Sequence, residues 1–201
     1  MMKARRPLTR SHGFSYVEGM IASALFAPIV IVVLLVIETM HSAYGKGEQS
    51  ADLQQSARIA MARIVRELRA AGLDPSGILP QLAAQSAVQT AELNRIAFIA
   101  DANDDGNTEK IEYRLDQSGQ SPVLRRQQWS AWNSGWTGTN GGQPLAERIT
   151  SVEFAYFGPG DGTIPLSDLP ARMAEIRRVR VTIMAENYRL VSDVRLRNVG
   201  L

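Results

Sequence analysis

The sequence predicts an α+β protein: a long N-terminal helix, transmembrane in its first half and amphipathic in its second, packed on an antiparallel β-sheet head. Three observations carry that expectation. Phe14 to Ile37 is almost continuously apolar; apolar positions recur at helical spacing from Leu53 to Ala71; and short runs beyond residue 95 alternate apolar with polar residues. At 201 residues the chain suits one domain plus an anchor. It divides into a basic leader at 1–13, an apolar helix at 14–44, an amphipathic helix at 45–72 and a head at 73–201.

The apolar run is about 24 residues, roughly 36 Å as helix, enough to cross a bilayer core with some tilt. Lys3, Arg5, Arg6 and Arg10 precede it and no Lys or Arg follows until Lys46, which places the N-terminus in the cytoplasm and the head outside. An ordinary secretory signal peptide fits less well, because the run is long for such a segment and no A-x-A-like site follows it cleanly. Two residues stand out within it. Glu18 puts an ionisable group where it costs about 3 kcal/mol and calls for a partner. Pro28 lacks an N–H and clashes with the carbonyl of Ala24, which predicts a kink or a loosened turn.

Gly13-Phe14-Ser15-Tyr16-Val17-Glu18, after a short basic leader and before an apolar helix, resembles the class III signal of type IV prepilins. The resemblance implies cleavage between Gly13 and Phe14 by a membrane-embedded prepilin peptidase, N-methylation of Phe14, and a role for Glu18 as the family's glutamate at the fifth mature position. Tyr16 stands where leucine is commoner. In a filament core of packed helices a buried carboxylate is tolerable only when paired, and the ammonium of Phe14 on a neighbouring subunit is a ready partner that would set axial register.

Beyond Ile37 the chain turns polar, and Gly45 and Gly47 weaken the helix enough to allow a bend. Leu53, Ala57, Ala60, Ile64, Leu68 and Ala71 mark one apolar face, with Arg58, Arg66 and Arg69 mainly elsewhere. Arg63 and Glu67 are spaced i,i+4 and read as a solvated pair. Gly72 is a candidate C-cap and Asp74-Pro75 a stop, so the helix should end near Ala71. The segment from Arg58 to Pro75 resembles the post-anchor helix of PilW-type minor pilins, and J-type pseudopilins of type II secretion share much of it.

In the head, strands are expected at Arg95–Ala100, Lys110–Leu115, Val123–Trp129, Ile149–Phe157, Ile176–Ala185 and Tyr188–Arg197, with Glu186-Asn187 as a tight turn between the last two. They should form one antiparallel sheet whose apolar face covers the helix. The Gly-, Ser- and Asn-rich span Ser130–Pro144, with Trp132 and Trp136, and the Gly- and Pro-rich span Gly158–Pro170 should be exposed or irregular, the tryptophans covering the sheet edge.

The chain contains no cysteine, so disulfides, thiol nucleophiles and cysteine metal sites are excluded. Removal of the leader's four basic residues leaves 18 of 22 against 20 acidic side chains, which takes away the basic excess that would suggest nucleic acid. His41 would be the mature chain's histidine, since His12 leaves with the leader, and Gly158-Pro159-Gly160-Asp161-Gly162 lacks the lysine of a phosphate cradle. No nucleophile stands with a base, so the chain is not expected to be an enzyme.

One motif is sharper. Asp101-Ala102-Asn103-Asp104-Asp105-Gly106-Asn107-Thr108-Glu109-Lys110-Ile111-Glu112 fits D-x-[DN]-x-[DN]-G-x5-E, the calcium-loop pattern. Asp101, Asn103, Asp105 and Glu112 would bind one structural calcium ion, with the carbonyl of Asn107 and a water-mediated Glu109. The bland alternative is a polar hairpin loop that needs no ion. No cofactor is otherwise expected.

The resemblance implies a PilW-type minor pilin of a type IV pilus, aiding initiation, assembly or adhesion. Its partners would be the prepilin peptidase, other pilins or pseudopilins, the inner-membrane assembly platform and inner-membrane lipid. Its location would be the inner membrane and then the pilus. A J-type minor pseudopilin of type II secretion is the alternative within the class; an inner-membrane-anchored periplasmic calcium-binding or sensor module is the alternative outside it.

Overall fold

The computed structural model describes residues 13, 15–81, 86–132, 135–138, 141–186 and 188–199. It divides into two compact units, 1–49 and 50–201. One helix, α1 (Tyr16–Ala70), contributes to both. It stays helical through Pro28, Gly45 and Gly47.

In the first unit every residue of α1 from Tyr16 to Tyr44 is exposed. The segment carries an apolar window of mean hydropathy 3.0, long and apolar enough to cross a membrane. Its serine and threonine hydroxyls are satisfied locally: Ser23, Thr39 and Ser42 donate to the carbonyls of Met20, Leu35 and Thr39 at 2.7–2.9 Å. No polar side chain needs water for these bonds, which suits an apolar surrounding.

In the second unit Ala57, Ala60, Ile64, Leu68 and Ala71 are fully buried, so the expected stripe faces the core. The helix ends at Ala70, one residue from the expected stop. Gly72 then adopts φ +87, and its N–H donates to Ile99 O at 2.8 Å. A Cβ there would lie 2.6 Å from Asn198 O, so glycine serves both the turn and the close passage of the C-terminal segment.

The head contains two antiparallel sheets where one was expected. The first comprises β1 (Val88–Ala91), β2 (Arg95–Ala100), β3 (Glu109–Asp116), β4 (Val123–Trp132), β5 (Gly135–Thr137) and β6 (Gln143–Glu147). The first four pair in sequence order, and β5 and β6 both pair with β4 at different positions along it. The second sheet has the order β10-β9-β7-β8, from β7 (Ser151–Phe157), β8 (Thr163–Ile164), β9 (Arg178–Ala185) and β10 (Tyr188–Arg195). A short helix, α2 (Leu169–Arg172), lies between β8 and β9.

Both sheets contribute to a common core with α1: Ile64 and Leu68 cluster with Phe98, Ile111, Tyr113 and Leu124 of the first sheet and with Phe154, Tyr156, Val179 and Val181 of the second. Tyr156 ties the sheets together, its hydroxyl donating to Glu92 O at 2.8 Å. The spans expected to be irregular therefore hold β5, β6, β8 and the start of α2. Trp136 lies half-buried in β5, opposite Ala131 of β4.

Candidate functional site

The first expected site is the start of α1. Phe14, the implied N-methylation position, and the leader up to residue 12 lie outside the described residues; Gly13 is exposed and non-helical. Ser15 occupies the N-cap, because its carbonyl accepts the first helical bond from Gly19 N at 3.1 Å. Glu18 reaches back and accepts from Ser15 N at 3.2 Å. This is half of a capping box, the S-x-x-E spacing in which the glutamate satisfies the cap residue's own N–H. The carboxylate also lies where the helix macrodipole favours negative charge. The Ser15-Tyr16-Val17-Glu18 spacing was visible in the sequence and its capping role went unread there. The other Glu18 oxygen makes no hydrogen bond among the described residues.

The second is the acidic loop between β2 and β3. Asp101, buried, accepts from Asp105 N at 3.2 Å and Gly106 N at 3.0 Å. Asp105 accepts from Asn107 N at 2.8 Å and from the Asn103 amide at 2.8 Å. Gly106 supplies φ +81 and Asp104 φ +57, which turn the chain back on itself. Glu109, also buried, accepts from Ala102 N at 3.2 Å. Burial raises its pKa above the ordinary value, and the charges of Asp105 and Asp101 push it the same way, against the Ala102 hydrogen bond and Arg126. Asp105 is shifted down, chiefly by the Asn107 backbone N–H and then by the Asn103 side chain.

Glu112 is not brought to this loop. Strand β3 starts at Glu109, so side chains already alternate there, and Glu112 projects to the face opposite Glu109 and Ile111. It accepts from Arg95 Nη2 at 2.7 Å and lies 4.0 Å from Arg114 Nε. A helix after the loop would have turned that carboxylate back; a strand cannot. The structure thus gathers Asp101, Asn103, Asp105, Asn107 and Glu109 and excludes the twelfth-position glutamate. Among the described residues no three His, Cys, Asp or Glu side chains are arranged to hold a metal, so a cation in this loop would draw on Asn103 and backbone carbonyls as well.

A third cluster was missed by sequence reasoning. Glu67, 2% exposed, is not the solvated partner expected of it. Its carboxylate receives Arg126 Nε at 2.9 and 3.1 Å, Arg63 Nε at 3.0 Å and the Tyr113 hydroxyl at 2.6 Å. Tyr113 and Arg126 are directly opposite each other on β3 and β4, so two neighbouring strands present a hydroxyl and a guanidinium to one helix position. Burial works against the Arg126 charge, yet the Glu67 bond and field outweigh it and raise its pKa. The Tyr113 hydroxyl is pushed far above its ordinary value, first by burial and then by the neighbouring carboxylate, so it stays a donor. This arrangement fixes the rotation and axial position of α1 on the head. It acts as a lock between the helix and the first sheet.

No family model matches the chain, and no characterised protein resembles it closely enough to be counted as a relative.

Proposed function

We propose that the chain is an exported filament subunit, a minor pilin of the PilW type, cleaved after Gly13 by a prepilin peptidase and methylated on Phe14. On this reading the first half of α1 holds the subunit in the inner membrane and then becomes its contact with other subunits in the filament. The observation that carries the reading is the contrast along α1: an apolar surface bare from Tyr16 to Tyr44, and a second half with its stripe buried under two sheets. An anchor alone requires no ionisable group near its start; Glu18 has one oxygen on Ser15 N and the other without a hydrogen bond among the described residues, which supports a role in accepting a neighbour's terminal ammonium. A J-type minor pseudopilin of type II secretion shares all of these requirements.

Coexpression with a prepilin peptidase should yield a chain that begins with N-methyl-Phe14, read by mass spectrometry of the purified membrane protein. An intact N-terminus in cells that process other prepilins overturns the proposal. Glu18→Val should remain in the membrane yet be lost from sheared filaments, and normal incorporation of that variant would remove Glu18 from the mechanism.

A second reading, a permanently tethered periplasmic calcium-binding or sensor module, draws on the buried Glu109 beside Asp101 and Asp105, a crowding that a divalent cation would relieve. It predicts no cleavage after Gly13, so the same mass measurement separates the two.

A further inference from the structure

Most arginines of the head have a carboxylate within ion-pair distance, among them Arg63, Arg95, Arg125, Arg126, Arg148, Arg172, Arg178 and Arg180. Arg66, Arg69 and Arg197 are among those that have none within the described residues. These three line the same open groove of about 630 Å3, together with Ala62, Val65, Ala70, Leu73 and Asn198. Arg66 and Arg69 are exposed and one turn apart on α1, a like-charge spacing that costs helix stability unless something offsets it. Arg197 enters from the segment after β10, which is held against the helix end by Asn198 Nδ2 donating to Ala70 O at 3.4 Å. Two parts of the chain distant in sequence thus bring to one mostly apolar groove three guanidinium groups with no ion pair among the described residues.

We infer that this groove docks an acidic segment of a partner polypeptide, with carboxylates on Arg66, Arg69 and Arg197 and small aliphatic side chains on the apolar lining. The charge pattern selects an anion, and guanidinium groups take carboxylates in paired hydrogen bonds. The apolar lining argues against a free phosphate, which would leave it unused. The lining also argues against a lipid surface, because membrane contact through an amphipathic face relies on large apolar side chains that protrude, and of the apolar residues lining this groove Leu73 alone is large and exposed. The inference goes beyond the filament proposal and does not need it: the groove lies wholly in the unit 50–201 and stands or falls without cleavage at Gly13.

The test uses the full chain in nanodiscs of zwitterionic phosphatidylcholine and fluorescence anisotropy of a labelled peptide, three repeats of Glu-Ala-Leu-Glu. The same peptide with glutamine for glutamate serves as the uncharged control. The glutamate peptide should bind, the glutamine peptide should not, and Arg66→Glu/Arg69→Glu should weaken binding by about tenfold or more, with the affinity falling as salt is raised. Arg197→Glu should act in the same direction. Both sets of positions are solvent-facing, and unchanged far-UV circular dichroism would show that the variants keep their fold. Absence of binding, equal binding of the glutamine peptide, or wild-type affinity in the double variant overturns the inference. Displacement of the peptide by inorganic phosphate at similar concentration would instead mark a simple anion site. Arginine-dependent capture of phosphatidylglycerol vesicles without peptide binding would mark a membrane contact; either result also overturns it.

Discussion

The two halves of α1 use the same backbone and opposite solutions to the same problem. From Tyr16 to Tyr44 the helix exposes apolar side chains on every face and hides its few serine and threonine hydroxyls on its own carbonyls. From Ala57 to Ala71 it buries one stripe and leaves the rest to solvent. Each half carries one glutamate that matters. Glu18 is exposed and capped by its own chain at Ser15 N, whereas Glu67 is buried and held by two arginines and a tyrosine from elsewhere. The comparison teaches that a carboxylate's role depends on where its partners come from. Glu67 has had its partners supplied within the head; Glu18 has one supplied locally and room for another.

The largest effect should come from breaking the lock. Glu67→Ala leaves Arg126 buried without a counter-charge, which costs about 3–5 kcal/mol. Urea unfolding of a head fragment beginning at Ser50 would measure it. The sharper variant is the double change Glu67→Met/Arg126→Met, which removes both charges and should recover most of the loss. If the double variant is as unstable as Glu67→Ala, the cost lies in packing and not in an orphaned charge. Next in size, Gly72→Ala forces a side chain into the left-handed region, a cost of roughly 1–3 kcal/mol, and into contact with Asn198 O. Full stability in that variant would mean that the helix end is free to reposition.

Much of this comparison was legible in the sequence. The apolar run, the stripe from Ala57 to Ala71, the Gly72 end and five of the six expected strands lie at or within two residues of their observed positions, and the sixth, β4, starts at the expected Val123 and runs three residues further, to Trp132. What escaped needed long-range pairing. Strand β7 pairs with β9 across β8 and α2, which no local pattern announces, so two sheets were read as one. Strand β6 contains Pro144 and β1 is four residues long, so neither carried a clear alternation. Glu67 could have been found. It stands three residues after Ile64 and four before Ala71, inside the buried stripe, and Arg126 follows Leu124 by two on the inward face of β4. A charge in an apolar stripe and another on an apolar strand face each ask for a partner, and here they are partners. Spacing alone favoured Arg63, which also bonds Glu67 but from the solvent side.

The smallest effect separates the acidic loop from its surroundings. Glu109 and Asp74 are carboxylates whose acidities are displaced in opposite directions. Burial raises Asp74's pKa, but hydrogen bonds from Thr108 and from the backbone N–H groups of Leu79, Ile78 and Gly77 outweigh it and lower the net value. Asp74 therefore contributes stability above its unfolded pKa of about 3.9, lost as pH falls through its folded value. Glu109 is raised, so its contribution is fully present below the unfolded value of about 4.3 and is lost as pH rises through its folded value. At neutral pH without calcium, the ionised Glu109 is consequently a liability, and Glu109→Gln should raise the melting temperature of the head slightly, the gain vanishing near pH 4. Calcium tests what that liability is for. A divalent ion among Asp101, Asn103, Asp105 and Glu109 would stabilise the wild-type head by mass action. Glu109→Gln should lose that gain, while Glu112→Ala should keep it, because Glu112 faces Arg95 on the other side of β3. A calcium gain that survives Glu109→Gln, or none at millimolar calcium, would leave the loop as a turn held by its own backbone hydrogen bonds; loss of the gain in Glu112→Ala would mean that the start of β3 rearranges to bring its glutamate round to the ion.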